Sequence, residues 1–125
     1  MRNVIGALVL LAAITGEARA ADAASLYVLL YAPGPAWKQG VPMRDQGLGP
    51  HLAYMQKLRD ERRLFAAGPL MDSNGGLIII RAASAGDARD IMDHDPAILA
   101  HIFTGRIESW RAAVDSGKTI AAFLQ

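Results

Sequence analysis

Two residues of this sequence have side chains suited to acid/base chemistry and stand where a helix is expected to begin. His51 follows Pro50 in the stretch GPHLAYM, and Asp95 precedes Pro96 in the stretch DHDPAIL. Proline is favoured in the first turn of a helix, where its missing N–H costs nothing. Each residue therefore lies at the positive end of a predicted helix, and the chemistry that this permits differs between the two.

His51 has two interpretations. The helix dipole disfavours a charged imidazolium at this end, and burial against a sheet would act in the same direction. A neutral imidazole can accept a proton, so His51 suits a general base or a hydrogen-bonding electrophile. It suits equally a packed histidine that bonds to a backbone carbonyl. The residues around His51 leave both interpretations open.

Asp95 is most simply the cap of a helix that starts at Pro96. A capping carboxylate could also orient a histidine from another element, but spacing alone cannot place Asp95 beside His51. His94 and His101 are seven positions apart with the Asp95–Pro96 break between them, which makes them a poor metal pair. No glycine-rich phosphate motif is present either, so we expect neither a metal nor a cofactor.

The elements that must position these residues follow from the apolar pattern. Residues 33–49 hold three prolines and four glycines, and form a long loop that contains Trp37 and Arg44. A buried plug is the favoured interpretation of Trp37, with substrate stacking as the alternative. A helix follows over residues 51–63, and Ser84 caps a second one. Asp95–Pro96 either breaks the second helix or begins a short one over 96–103. The predicted strands are 26–32, 64–70, 77–83 and 105–112.

The resulting order is β-α-β-β-α-β, which is the ferredoxin-like α+β arrangement. In the first helix His51, Met55, Leu58 and Arg62 fall in one sector that faces the sheet. Two helices cover one face of a four-stranded sheet. Three strands are apolar at nearly every position, which predicts that both faces are buried. A two-fold homodimer would cover the second face.

The N-terminus has the pattern of a secretory signal peptide over residues 1–20. A basic start, an apolar run of eleven residues and Ala18-Arg19-Ala20 predict cleavage between Ala20 and Ala21. The run is too short to span a bilayer, so we expect no stable membrane insertion after cleavage. Residues 21–125 then form a single domain with its core at about 26–113, and we expect a periplasmic or secreted location.

The net charge and the cysteine content of the chain exclude some classes of partner and of chemistry. Loss of residues 1–20 removes two basic residues and one acidic residue from totals of 13 and 12, so the mature chain is formally neutral. Nucleic-acid binders carry a basic surplus or stripe, which this chain lacks. The absence of cysteine excludes disulfides and thiol chemistry.

The chain resembles the YciI-like (YCII-related) family of the dimeric α+β-barrel superfamily. The resemblance covers about residues 25–113, and its more specific elements are His51-Leu52, the AAGP stretch at 66–69 and the Asp95–Pro96 pair. It implies a ferredoxin-like subunit whose sheet pairs with that of a second copy. It also implies that His51 and Asp95 form an active-site pair in a pocket, near which we expect Trp37, Arg44, Tyr54 and Ser73.

Two functions are consistent with this resemblance. The first is an exported, cofactor-free enzyme in which His51 is the base and Asp95 orients it, acting on a small cyclic substrate by isomerisation, elimination or proton abstraction. Family members with an assigned reaction include dehydrochlorinase-type enzymes. The second is a non-catalytic small-molecule-binding or stress-associated dimeric module. The export signal and the tail after Trp110 depart from the familiar pattern and leave the substrate open.

Overall fold

The chain forms a four-stranded antiparallel sheet with helices packed on one face. A computed structural model describes residues 25–114. The sheet order is β2-β3-β1-β4, so the two central strands are the first and the third. This confirms the predicted α+β, ferredoxin-like subunit. The elements are β1 (Ser25–Pro33), a short 3-10 helix (Met43–Asp45), α1 (Gly49–Asp60), β2 (Leu64–Pro69), β3 (Gly76–Ala82), α2 (Ala85–Asp93), α3 (Pro96–Leu99) and β4 (Phe103–Trp110). The predicted signal peptide and the tail from residue 115 lie outside the described residues.

Helix α1 begins as the proline predicted and ends earlier than expected. Leu48 is its N-cap, and Pro50 lies in its first turn. We expected the helix to continue to Arg63, but the chain leaves it after Asp60. Arg62 adopts a left-handed conformation with φ 60°, and the amide of Arg63 bonds to the carbonyl of Leu58 at 2.8 Å. This is a Schellman motif with arginine where glycine is usual.

Helix α3 ends in the same way. Its cap is Asp95, whose side chain accepts a hydrogen bond from the amide of Ala97. The predicted helix over 96–103 stops at Leu99 because His101 is left-handed, with φ 58°. The amide of Ile102 then bonds to the carbonyl of Ala97 at 3.0 Å. Strand β4 consequently starts at Phe103, two residues before the predicted start.

The helix-covered face of the sheet carries the core. Leu29 and Ile80 are fully buried there, and Leu58 of α1, which is 1% exposed, belongs to the same core cluster. Successive residues of a strand point to opposite faces, so the neighbours in sequence lie on the other side. That other face carries Val28 and Ile79, which pair across β1 and β3 and are half-buried in the single chain. Within residues 25–114, no helix is long and apolar enough to cross a membrane.

Candidate active site

His51 and Asp95 meet where the start of α1 approaches the start of α3. The Nδ1 atom of His51 lies 2.8 Å from Oδ2 and 2.9 Å from Oδ1 of Asp95. The carboxylate is fully buried, whereas the imidazole retains 18% of its exposure. A carboxylate only accepts hydrogen bonds, so Nδ1 is the donor in this pair. The other nitrogen, Nε2, has no hydrogen-bond partner in the described part of the chain.

Asp95 is held by two further donors besides the histidine. The amide of Ala97 donates to Oδ1 at 2.9 Å, which is the N-cap bond of α3. The hydroxyl of Tyr31, on the helix-covered face of β1, donates to Oδ2 at 2.9 Å. No buried side-chain oxygen or nitrogen of the described residues lacks a partner. Asp95 therefore performs two tasks at once: it caps a helix, and it fixes the ring orientation of His51.

Packed rings hold the Tyr31 side chain in place. Its ring centroid lies 5.5 Å from that of Phe103 and 6.0 Å from that of His51. Gly105 lies opposite Tyr31 on β4. A β-carbon at position 105 would come within 2.8 Å of the Met92 sulfur and 2.9 Å of the Tyr31 ring. The missing side chain of Gly105 is therefore what lets the phenol reach Asp95.

Burial fixes the protonation state of this phenol. It raises the pKa of Tyr31 far above the ordinary value of 10.0, and the adjacent Asp95 charge acts in the same direction. Burial also raises the pKa of Tyr54, again with a smaller contribution from Asp95. Tyr31 consequently remains a hydrogen-bond donor at any physiological pH. It can orient the carboxylate, but it cannot act as a base.

The imidazole of His51 lies between the buried carboxylate of Asp95 and the N-terminus of α1. A residue that must accept a proton and later return it needs both charge states to be accessible. The arrangement therefore suits a general base whose protonated form is stabilised by a buried carboxylate.

A cavity of about 660 Å³ lies beside His51. Its walls come from the loop before α1, one side of α1, the ends of β2 and β3, and Phe103. They are predominantly apolar, with the polar groups of His51, Tyr31 and Gln56 among them. The lining residues are Tyr31, Met43, Arg44, Leu48, Gly49, His51, Leu52, Met55, Gln56, Arg59, Leu64, Ala67, Gly68, Pro69, Gly75, Gly76, Ile78 and Phe103. The volume suits a small organic molecule.

Of the four residues that we expected at a pocket, only Arg44 lines this one. Trp37 is buried at 6% exposure, with its ring centroid 5.6 Å from that of Phe103, as the plug interpretation holds. Tyr54 faces away, because its hydroxyl donates to the carbonyl of Ile91 at 2.8 Å. The Ser73 hydroxyl accepts from the amide of Gly75 in the β2–β3 turn. Those three expected contacts are absent from the cavity wall.

Sequence reasoning missed Tyr31 and Arg59. Tyr31 stood in the uninterrupted apolar run of β1, where nothing distinguishes it from a core residue. Arg59 lies on the side of α1 that also presents Met55 and Gln56 to the cavity. The sheet-facing sector predicted for the helix (His51, Met55, Leu58 and Arg62) does not include Gln56. The cavity wall spans more of the helix circumference than the sheet-facing sector does.

The histidine and acidic side chains of the described residues do not gather into one cluster. No group of three or more His, Asp or Glu side chains that could hold an ion occurs between residues 25 and 114. His94 uses Nδ1 to bond the carbonyl of Asp90 at 2.7 Å. His101 lies in the turn after α3 and is exposed. The three histidines of the chain therefore sit in three separate environments.

The fold and the site together define a class: a ferredoxin-like α+β protein with a histidine–carboxylate pair beside an apolar cavity. Residues 25–111 match the family model described as the YCII-related domain. The chain belongs to this family, which confirms the resemblance seen in its sequence.

Two relatives illustrate the family. The chain is 31% identical over 61 residues to the uncharacterized protein YjpA of Bacillus subtilis (strain 168), a match that covers 49% of this chain and 72% of that protein. Its fold is similar to that of 5-chloro-2-hydroxyhydroquinone dehydrochlorinase from Burkholderia phenoliruptrix AC1100, solved in complex with 2,5-dihydroxybenzoquinone. That match has a TM-score of 0.52 and 23% identity, and covers 68% of this chain and 93% of the other. At this identity the similarity shows the fold.

Proposed function

We propose that this protein is a cofactor-independent enzyme that uses His51 as a general base on a small cyclic substrate. The observation that carries the proposal is the pairing of Nδ1 with buried Asp95 at 2.8 Å, in a histidine that also lines the cavity. Asp95 fixes the tautomer in which Nε2 can accept a proton, and it stabilises the imidazolium that results.

The chemical step would proceed through an enolate. Nε2 takes a proton from a carbon next to a carbonyl group, and the C–H electron pair moves towards the carbonyl oxygen. The imidazolium then returns its proton to a different carbon, which isomerises the substrate. Alternatively, the electron pair expels a leaving group from the adjacent carbon, and the imidazolium releases its proton to water, which completes an elimination. Neither course needs an external oxidant or reductant.

The comparisons support a substrate of modest size. The structural neighbour is named a dehydrochlorinase, and the ligand in its structure is a single ring. A ring of that kind fits within the 660 Å³ cavity with space to spare. We therefore propose that the substrate of this protein is monocyclic. A compound screen would identify its substituents.

Deuterium exchange tests the proton transfer without knowledge of the product. The protein is incubated in D₂O with a panel of cyclic ketones, lactones and hydroxylated quinones, and deuterium incorporation is followed by mass spectrometry. We expect catalysed exchange in at least one compound, and a rate at least about 100-fold lower in His51→Gln. His94→Gln is the matched control, since His94 is exposed and outside the cavity. Exchange in none of the compounds would contradict the proposal.

A homodimer and an exported location are part of the same proposal. Val28, Leu30, Leu77 and Ile79 form a half-buried apolar patch on the sheet face opposite the helices. Such a patch supports packing against the same face of a second copy. Light scattering should give twice the monomer mass. Ile79→Asp should halve the measured mass, whereas Leu99→Asp on exposed α3 should leave it unchanged.

Export is tested separately from dimerisation. Mass spectrometry of the protein recovered from the periplasm should show Ala21 as the first residue.

One observation favours the alternative of a non-catalytic binding module. Asp95 caps α3 whether or not His51 reacts, so this carboxylate has a structural role that does not depend on catalysis. In that case the cavity would bind its ligand without converting it. Binding of a panel compound without deuterium exchange, together with a large loss of stability in His51→Gln, would support the module over the enzyme.

A further inference from the structure

The charged groups on the cavity wall are all cationic or able to become so. Arg44 contributes from the short 3-10 helix, Arg59 from the last turn of α1 and His51 from its first turn. No Asp or Glu is among the described residues that line the cavity, because Asp95 lies behind His51 and is fully buried. An apolar cavity with this distribution of charge attracts a ligand that carries a negative group.

The two arginines are placed to reach the same ligand as the base. Arg59 is eight residues after His51, which is about 12 Å along the axis of α1. Side chains of a helix lean towards its N-terminus, so an extended Arg59 side chain can reach back in the direction of His51. Arg44 belongs to the loop segment that precedes the start of α1 and lines the same cavity. Both guanidinium groups stand on mostly exposed side chains, at the rim and not in the interior.

Existing ion pairs do not prevent these arginines from binding a ligand. Arg44 lies 3.7 Å from Asp45, and Arg59 lies 3.0 Å from Asp60. Each pair joins adjacent residues with exposed side chains, and such pairs contribute little because water screens them. A guanidinium offers five N–H donors, so an arginine can retain its neighbour and still bind an anionic oxygen of a ligand.

We infer that the substrate is a monocyclic organic anion, a ring that carries a carboxylate or an ionised hydroxyl, and that Arg44 and Arg59 select for it. The inference rests on the proposed function for the identity of the site, and adds the class of substrate. The ring occupies the apolar wall, and the anionic group lies at the arginine rim. The same two charges would stabilise the negative charge that develops when His51 removes a proton.

Matched acid and amide pairs test this by isothermal titration calorimetry. The pairs are benzoate and benzamide, cyclohexanecarboxylate and its amide, and 2-furoate and its amide, which have nearly the same shape within each pair and differ in charge. We expect at least one acid to bind about tenfold more tightly than its amide, and a rise in NaCl from 50 to 500 mM to weaken binding of the acid alone. Equal affinities within every pair, or no binding of any acid at 10 mM, would overturn the inference.

Substitutions assign the preference to the two arginines. The double variant Arg44→Gln/Arg59→Gln should bind acid and amide with affinities within about threefold of each other. The control Arg89→Gln removes an exposed arginine of α2 that does not line the cavity, and should keep the full preference. A double variant that keeps the preference would show that the arginines do not select the ligand. Circular dichroism checks that the variants are folded.

The His51→Gln variant separates this inference from the proposed function. It should retain the preference for acids, because the inferred contacts do not involve the imidazole. If the preference is retained while wild-type protein exchanges no deuterium, the base assignment fails and the anion site stands. If exchange occurs with neutral rings and no acid is preferred, the base assignment stands and the anion site fails. Loss of the preference in His51→Gln would place the anion on the histidine and overturn the inference.

Discussion

Two aspartates at helix N-termini have similar positions but different roles in this molecule. Asp87 lies in the first turn of α2, where its carboxylate accepts a bond from the amide of Ala83 at 3.0 Å and pairs with Arg63 at 2.7 Å. Asp95 caps α3 and pairs with His51. The Asp87 side chain keeps 34% of its exposure and that of Asp95 keeps none.

The difference shows how burial turns a capping residue into part of a site. Water can replace any lost partner of Asp87, so its contacts contribute stability and little else. Every partner of Asp95 must come from the protein, because an unpaired buried charge is strongly unfavourable. The partners also differ in kind. Arginine is permanently charged, whereas histidine changes its charge near neutral pH and can therefore transfer a proton.

The largest effect is expected when the two aspartates are removed one at a time. Asp95→Ala should lower the free energy of unfolding by about 3–5 kcal/mol, because it removes a cap and leaves the Tyr31 hydroxyl without its acceptor. Asp87→Ala should cost about 1–2 kcal/mol, since its site is open to water. Urea denaturation followed by circular dichroism measures both. Equal losses of unfolding free energy would show that burial does not distinguish the two aspartates.

Removal of a single oxygen tests whether the tyrosine supports the buried carboxylate. Tyr31→Phe keeps the ring and deletes the donor to Asp95, a hydrogen bond to a charged group worth about 1.5–3 kcal/mol. Tyr54→Phe deletes a bond to a neutral carbonyl and should cost about 1 kcal/mol. If Tyr31→Phe retains wild-type stability in the same denaturation experiment, the phenol does not support Asp95.

The tyrosines also predict how stability depends on alkaline pH. Unfolded tyrosine loses its proton near pH 10.0, whereas the raised pKa of Tyr31 keeps it protonated in the folded chain. Above that pH the folded state binds more protons than the unfolded state, so stability falls as pH rises, by up to about 1.4 kcal/mol per pH unit for this group. Denaturation midpoints between pH 8 and 11.5 should show this slope, and Tyr31→Phe should flatten it. An unchanged slope in that variant would assign the effect elsewhere.

The smallest effect on stability is expected at the histidine itself. His51→Gln leaves Asp95 with the Tyr31 hydroxyl and the Ala97 amide, and water can enter where the imidazole was 18% exposed. We expect a change in unfolding free energy below about 1 kcal/mol, as is common where a residue serves activity rather than stability. A loss of about 3 kcal/mol would instead indicate that the pair is structural.

The sequence predicted those parts of the fold that depend on periodicity and proline. Pro50 and Pro96 located the starts of α1 and α3, and the apolar runs located the strands. The helix ends were predicted less well for one shared reason. Arg62 and His101 adopt the left-handed conformation that glycine usually supplies, so no local residue type marked either boundary.

The residue types and spacing of the sequence identified His51 and Asp95 as candidate site residues, but did not predict that their side chains are in contact. His51 and Asp95 are 44 positions apart, and their pairing was implied by the family resemblance, not by spacing. Tyr31 was not predicted because a tyrosine in a buried strand resembles any other core residue. Its role depends on the register that places it opposite Gly105, which is a property of strand pairing across more than 70 residues.

Gly105 should behave in a saturation mutagenesis screen like an active-site residue, although it lines no part of the cavity. Any side chain there would push the Tyr31 ring or the Met92 sulfur from its place. The phenol would then lose Asp95 before the sheet itself was disturbed. A map of tolerated substitutions would therefore show one intolerant position on the edge strand β4, outside the cavity wall. The cause is that the space beside the Gly105 α-carbon is too small for even a methyl group.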